Sequence, residues 1–275
     1  MWETILFLLP PFTVCLLLAG LLSYFGNHIL SREVIFVDIA VAQVASLGTM
    51  IGIMMGMTEG TLGSYLFSLA FTVIIVSIFA VSKFKNKELS QEVTIGIIYC
   101  MALAIAMLLV DSVTGGSNFI QKTFSGAILW VTWTDVLITA LIFAPLFVIH
   151  MFFQKSFIRI SDGDVDGYKE STIKLYNLIF YITFGIAVVQ SVKIGGIFVV
   201  FMYLIGPAAM ALFITDVWKL RFFMSWLMGF IGSVLGISVS YNYNLPNGPT
   251  IVCMLGVMLF ITSLATRKRE VATNE

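Results

Sequence analysis

Residues 34–56 read VIFVDIAVAQVASLGTMIGIMMG, an apolar run that carries a single charge, Asp38. A run of about 20 apolar residues is long enough to cross a bilayer as a helix. A carboxylate in hydrocarbon costs roughly 2.5–3.5 kcal/mol on insertion scales, so it is retained where it faces a bundle interior, a partner or a water-filled path. The run therefore predicts a membrane helix with a functional carboxylate, and Gln43 is a second polar group in the same helix.

The composition of the whole chain agrees with this first run. Hydrophobic residues make up 59% of the 275 residues and charged residues 11%, against about 25% charged residues in soluble domains. We therefore predict an all-α, polytopic membrane helix bundle in the lipid bilayer, with residues 1–275 as one transmembrane domain. The net charge of zero predicts no nucleic-acid partner. The N terminus lacks a basic signal-peptide region, so the first apolar run is expected to remain as a span.

Apolar runs bounded by charges or turn residues predict up to nine spans. They cover residues 5–25, 34–56, 61–82, 93–110, 135–153, 174–191, 195–214, 222–240 and 249–266. If one early run is re-entrant, the count becomes eight.

Basic residues predict which ends of the spans face the cytoplasm, because cytoplasmic loops are rich in lysine and arginine. With the C-terminal tail 266–275 in the cytoplasm and nine spans, Lys122 and Lys193 alone fall outside. The other basic residues lie on the side of the tail: Arg32, Lys83, Lys85, Lys87, Lys155, Arg159, Lys169, Lys174, Lys219, Arg221, Arg267, Lys268 and Arg269. The pattern favours a cytoplasmic C terminus and an external N terminus.

Motifs for soluble enzyme chemistry are absent from the sequence. It has no Gly-x-x-x-x-Gly-Lys-Ser/Thr phosphate loop, so the chain is not expected to hydrolyse ATP, and it is not predicted to be an enzyme or to bind a cofactor. His28, ten residues before Asp38, is a candidate metal ligand beside Asp38 and Gln43. Gly206-Pro207 interrupts an apolar run and is a candidate pathway or hinge element, because proline removes a backbone donor.

Five stretches in order resemble the permease subunits of the zinc/manganese-type ABC importers. They are GNHILSREVIFVDIAVAQVASLG (26–48), QEVTIGIIYCMALAIAMLLV (91–110), FSGAILWVTWTDVL (124–137), GGIFVVFMYLIGPAAMALFIT (195–215) and GISVSYNYNLPNGPTIVCMLGVMLFI (236–261). The resemblance implies a permease of the bacterial inner membrane that imports a divalent transition metal such as zinc, manganese or iron, or its chelate. It also implies three protein partners: a cytoplasmic ATPase, an extracellular or periplasmic metal-binding protein and a second permease copy.

The longest predicted cytoplasmic loop, 154–173, corresponds by position to the segment that docks on the ATPase in that family. It carries three aspartates at alternate positions and a glycine, which we take as the docking residues: Asp162, Asp164, Asp166 and Gly167.

The chain departs from the family pattern at the metal-handling pair, an Asp and a His four residues apart. Aligned on Leu47-Gly48, the histidine position holds Gln43, and Asp38 lies one residue before the aspartate position. Five residues turn an ideal helix by about 500°, which places Asp38 and Gln43 roughly 140° apart. Carboxylates and amides suit harder cations than imidazole does, so the identity of the metal stays open.

Two other functions and one structural role for Asp38 stay open from the residues. The chain could be an ion-coupled secondary transporter that uses Asp38 as a proton or cation site, although no inverted repeat is visible. It could be an intramembrane enzyme or assembly factor, although no paired catalytic residues occur. Asp38 could also form an ion pair with Arg32.

Overall fold

The computed structural model describes residues 2–81, 91–113 and 115–273. Over these residues the chain forms nine α-helices, two short 3-10 helices at Val110–Ser112 and Ile128–Trp130, and no strand. The α-helices are α1 (Trp2–Ser31), α2 (Val37–Met54), α3 (Leu62–Val81), α4 (Gln91–Leu109), α5 (Gly116–Ser125), α6 (Trp133–Ser161), α7 (Glu170–Ile214), α8 (Trp218–Tyr243) and α9 (Asn247–Thr273). The all-α prediction is confirmed.

Eight of these helices are long and apolar enough to cross a membrane, with mean hydropathies between 1.7 and 2.6. The exception is α5, whose ten residues rise only about 15 Å, half of the hydrocarbon thickness. An α-helix satisfies its own backbone hydrogen bonds, which is why apolar runs adopt this form in lipid.

The 45-residue helix α7 combines two of the predicted spans. At about 67 Å it would be more than twice as long as the hydrocarbon is thick. Gly196 breaks it, with non-helical backbone angles of φ 73° and ψ 168° that only glycine adopts readily. The break leaves segments 170–195 and 197–214, each long enough to span, which agrees with the sequence prediction of two spans, 174–191 and 195–214, in this part of the chain.

Contacts divide the chain into two compact units. Unit 1 comprises Met1–Leu30, Ser125–Pro145 and Ile194–Glu275, and unit 2 comprises Ser31–Phe124 and Leu146–Lys193. The prediction of a single permease domain is not decided by this division and stays a prediction.

Unit 1 is held by close helix crossings at small residues. A Cβ on Gly26 of α1 would lie 1.8 Å from the backbone oxygen of Leu204 in α7, so only glycine fits there. The buried amide of Asn27 donates to Ser225 Oγ at 2.9 Å, which joins α1 to α8. Helices α8 and α9 pack together at Gly232 and Gly236, which face Leu255 and Ile251.

Unit 2 is built around α2, which packs on α3 and α4. Gly48 lies directly against the backbone of Phe67, and α7 meets α3 where Gly185 faces Thr72. In α6, His150 Nε2 is 2.7 Å from Thr183 Oγ1 of α7, and its ring lies 4.6 Å from the ring of Phe157.

The predicted loop 154–173 is wrong in its bounds. Helix α6 continues to Ser161 and α7 begins at Glu170, so the connection is the eight residues 162–169. Charged residues end a membrane span but do not end a helix, and the helix stops only before Gly163, which has a φ of 78°. Of the basic residues used for orientation, Lys83, Lys85 and Lys87 lie outside the described residues, as do positions 274–275 of the tail 266–275.

Candidate translocation site

Helix α2 is the most enclosed of the candidate spans. In its most apolar 18-residue stretch 72% is buried inside the folded chain, whereas the corresponding share is 56% or less in the other seven candidate spans. Outer helices of a membrane bundle expose apolar side chains to lipid, as α4 does with only 17% buried. An inner helix with polar side chains is the natural element to line a path for a polar solute.

Asp38 lies in the first turn of α2 and is 1% exposed. Its Oδ1 has no hydrogen-bond partner among the described residues. Asp38 is an acidic residue in the first helical turn, where the positive end of the helix dipole favours a negative charge. An acceptor oxygen that is buried and unmatched costs free energy unless a ligand, water or cation satisfies it, so Asp38 offers an anionic contact to a solute.

The alternative ion pair between Asp38 and Arg32 is not what the structure shows. The Arg32 guanidinium donates instead to Ser161 Oγ at 2.9 Å and to Asn177 Oδ1 at 3.0 Å. It also lies over the ring of Phe180, 3.9 Å from the ring centre. Asp38 is therefore not neutralised by this arginine.

Gln43 is also enclosed, at 2% exposure, and its Nε2 has no hydrogen-bond partner within the described ranges. Both residues belong to one regular helix, so the angular offset of about 140° between their directions holds. The structure thus brings Asp38 and Gln43 into one buried helix but does not bring them onto one face. They can act on a solute at successive levels and do not form a two-ligand clamp.

His28 belongs to unit 1 and is fully buried among aromatic rings. Its ring centre lies 4.9 Å from those of Tyr24 and Trp218 and 5.7 Å from that of Phe222. These neighbours offer packing surface and no anionic ligand. The metal-ligand role predicted for His28 stays a prediction.

A preformed metal cage is not found in the part of the chain that the structure describes. No group of three or more His, Cys, Asp or Glu side chains there could hold a metal ion together. Structural zinc sites need four such ligands. What helix α2 provides is one carboxylate, Asp38, with the amide of Gln43 further along the same helix.

Gly206 and Pro207 lie within a continuous stretch of α7, and the non-helical break comes ten residues earlier, at Gly196. Both are buried, and Pro207 packs against Gly229 of α8. Helix α7 continues on both sides of Pro207, as membrane helices often do at a proline. The pathway or hinge role of Gly206-Pro207 stays a prediction.

The proposed docking residues lie together on the exposed connection 162–169. Arg159 donates to both carboxylate oxygens of Asp164, at 2.8 and 3.2 Å, and to the backbone oxygen of Asp166 at 2.9 Å. The hydrogen bond from Arg159 holds the pKa of Asp164 below its usual value. Gly167, with a φ of 82° and open space around it, gives the connection its turn.

The sequence reasoning missed the polar cluster around Arg32. Ser161, Asn177 and Phe180 come together with it from two helices, although they lie more than 120 residues away in sequence. The available signal was Arg32 itself, the one basic residue between the first two spans.

The sequence pattern of the ABC 3 transport family matches residues 4–267. The manganese transport system membrane protein MntC of Listeria monocytogenes is 24% identical over 246 residues, which cover 89% of this chain and 85% of that protein. The high-affinity zinc uptake system membrane protein ZnuB of Buchnera aphidicola is 31% identical over 182 residues, which cover 64% of this chain and 68% of that protein.

The fold is also found among solved structures. A chain of PsaBC from Streptococcus pneumoniae, solved in complex with Fab, superimposes with a TM-score of 0.77 at 20% identity. The match covers 93% of this chain and 90% of that chain. The family match covers nearly the whole length of the chain. The chain therefore belongs to the ABC 3 transport family and is a multi-pass membrane permease subunit of an ABC transporter.

Proposed function

We propose that this permease imports a divalent transition metal ion, or a small chelate of one, along a path lined by α2. The observation that carries the proposal is the Asp38 carboxylate, 1% exposed in the most enclosed span, with an oxygen that no described residue satisfies. A cation passing this level would supply the missing partner. The names of the two relatives, for manganese and for zinc, point to the same class of solute.

The partners follow from the class of transporter. A separate cytoplasmic ATPase supplies the energy, an extracellular or periplasmic metal-binding protein delivers the metal, and a second copy of this chain completes the path as a homodimer. We place the protein in the bacterial inner membrane with its C terminus in the cytoplasm, because thirteen of the fifteen basic residues then lie on that side. The connection 162–169, with its exposed carboxylates, is the surface offered to the ATPase.

Metal uptake is expected only when the ATPase is present. Liposomes that hold this chain alone should not accumulate manganese, zinc or iron in response to ATP, whereas liposomes with the permease–ATPase complex and the binding protein should. Uptake of radioactive or fluorescently detected metal measures the difference. Uptake by the chain alone that collapses with the proton gradient would instead identify an ion-coupled secondary transporter.

Replacing Gln43 by histidine is expected to shift metal preference towards zinc. An imidazole is a better ligand for zinc than an amide, whereas carboxylates and amides suit harder cations such as manganese. Because Gln43 and Asp38 point about 140° apart, the change should be modest, about threefold in the ratio of zinc to manganese uptake. Competition between the two metals in one uptake assay measures it, with Gln43→Asn as the control that keeps the amide.

A shift of Gln43→His towards manganese would contradict the role of Gln43 beside the path. An unchanged ratio, with Gln43→His expressed at the wild-type level, would show that the residue does not contact the metal.

A further inference from the structure

The connection between α1 and α2, residues 32–36, is the part of unit 2 that leads directly into the helix of Asp38. It is short, and Arg32 is its only basic residue. Arg32 precedes Asp38 by six residues, and only the connection residues 33–36 and Val37 of α2 lie between them. The contacts of Arg32 therefore contribute to how this end of α2 is held.

Those contacts lie on both sides of the proposed docking connection. Ser161, which accepts the Nε–H bond of Arg32, is the last residue of α6 before residues 162–169. Asn177, which accepts the Nη1 bond, lies two turns into α7, after that connection. One guanidinium thus bonds the helix that enters the docking connection and the helix that leaves it.

The Arg32 contact is stiff. Its guanidinium is planar and lies over the ring of Phe180 at 3.9 Å, while both hydrogen bonds are of ordinary length. A guanidinium held in this way loses its rotational freedom, and a lysine cannot reproduce both hydrogen bonds and the ring contact.

The connection between α1 and α2 is also bonded to α4, and its backbone is strained at Glu33. The backbone N–H of Ile35 donates to Glu92 Oε1 of α4 at 3.1 Å. Between these two anchors Glu33 has a φ of 56°, a left-handed conformation that is costly for a residue other than glycine. A cavity of about 370 Å³ lies beside it, lined by the connection, Ser161, Asp162 and Asn177.

We propose that Arg32 is the positioning residue that transmits movement of the docking connection 162–169 to the first turn of α2, and so to Asp38. The proposal rests on the proposed function, in which the ATPase docks on residues 162–169. When the ATPase moves the ends of α6 and α7, Ser161 and Asn177 carry the guanidinium with them. The strained residues 33–36 then reorient the start of α2 into the space of the cavity.

Hydrogen–deuterium exchange of the permease–ATPase complex in nanodiscs tests this coupling directly. In the wild-type complex, ATP should change the exchange of residues 162–169 and of residues 33–39 together. In Arg32→Gln the change at 162–169 should remain and the change at 33–39 should be lost. A change at 33–39 that survives in Arg32→Gln would overturn the proposal.

Transport adds a second readout that a merely structural role would not move. Manganese or zinc uptake per ATP hydrolysed should fall about fivefold or more in Arg32→Gln, the lower end of measured coupling effects, while ATPase binding stays within about twofold. Arg32→Lys should not restore it. Arg221→Gln is the matched control, since Arg221 of unit 1 is also buried, lies over a tryptophan ring at 5.1 Å and bonds backbone oxygens.

Asn177→Ala provides a milder variant should Arg32→Gln fold poorly. It removes one acceptor and leaves the arginine, so it should lower uptake per ATP in the same direction, and a wild-type ratio would overturn the proposal. Absence of ATP-driven uptake of both metals by the wild-type complex would contradict the proposed function alone. The exchange of residues 33–39 would still decide the role of Arg32.

Discussion

Replacing Asp38 by asparagine is expected to reduce metal uptake about tenfold or more while leaving expression and folding intact. Asparagine keeps the size of the side chain and removes its charge. A carboxylate about 4 Å from a single positive charge contributes about 4 kcal/mol at the effective dielectric of a partly wet site. Loss of about 1.4 kcal/mol of that contribution already corresponds to a factor of ten. Uptake by the complete transporter in liposomes, measured for manganese, zinc and iron, checks the result.

Asp111→Asn is the control for the loss of a negative charge elsewhere in the chain. Asp111 is exposed in the short 3-10 helix after α4, and its replacement should leave uptake unchanged. Normal uptake of every metal by Asp38→Asn, at the wild-type expression level, would remove Asp38 from the path. Equal losses in Asp38→Asn and Asp111→Asn would point to a general effect of charge on the protein.

The helices were predictable because a membrane span has to meet two conditions that a sequence reveals. A span needs enough apolar residues, and its backbone must be bonded internally. The run 34–56 therefore became α2 at Val37–Met54, with soft ends as its only error. The two spans within α7 were predictable for the same reason, because 174–191 and 195–214 are separate apolar runs, each long enough to span.

The loop 154–173 was mispredicted because polarity marks where a chain leaves the membrane and does not mark where a helix ends. Lys155 and Arg159 are as compatible with a helix in water as with a loop. The true end of α6 depends on Gly163 and on the bonds from Arg159 to Asp164 and Asp166, which close the turn.

The candidate site could be predicted only as far as it depends on one helix. Asp38 and Gln43 were identified, and their angular offset follows from their spacing alone. The surroundings of His28 depend on Trp218 and Phe222, which lie about 190 residues away in sequence. An imidazole looks the same in a sequence whether it binds a metal or packs among rings, so its role needed tertiary contacts.

Replacing Gly26 by alanine is expected to destabilise the fold by about 3 kcal/mol or more, the upper end for overpacking. The added Cβ would lie 1.8 Å from the Leu204 oxygen and 2.7 Å from its carbonyl carbon. Both are backbone atoms of α7, so no side-chain rotation can relieve the clash and α1 has to move away. That movement would also pull the buried amide of Asn27 from Ser225, which leaves polar groups unmatched.

The melting temperature of the detergent-solubilised protein, followed by size-exclusion chromatography after heating, measures the effect of Gly26→Ala. Gly96→Ala is the matched control, because Gly96 is also a helical glycine and its added Cβ would meet no atom within 4 Å beyond its chain neighbours and the backbone of its own helix. Gly96→Ala should melt at or slightly above the wild-type temperature, since alanine is the better helix former. If Gly26→Ala and Gly96→Ala have the same melting temperature, α1 and α7 do not cross as closely as the Gly26–Leu204 contact requires. If Gly26→Ala unfolds at a lower temperature and Gly96→Ala does not, the close crossing of α1 and α7 in unit 1 depends on the absence of a side chain at Gly26.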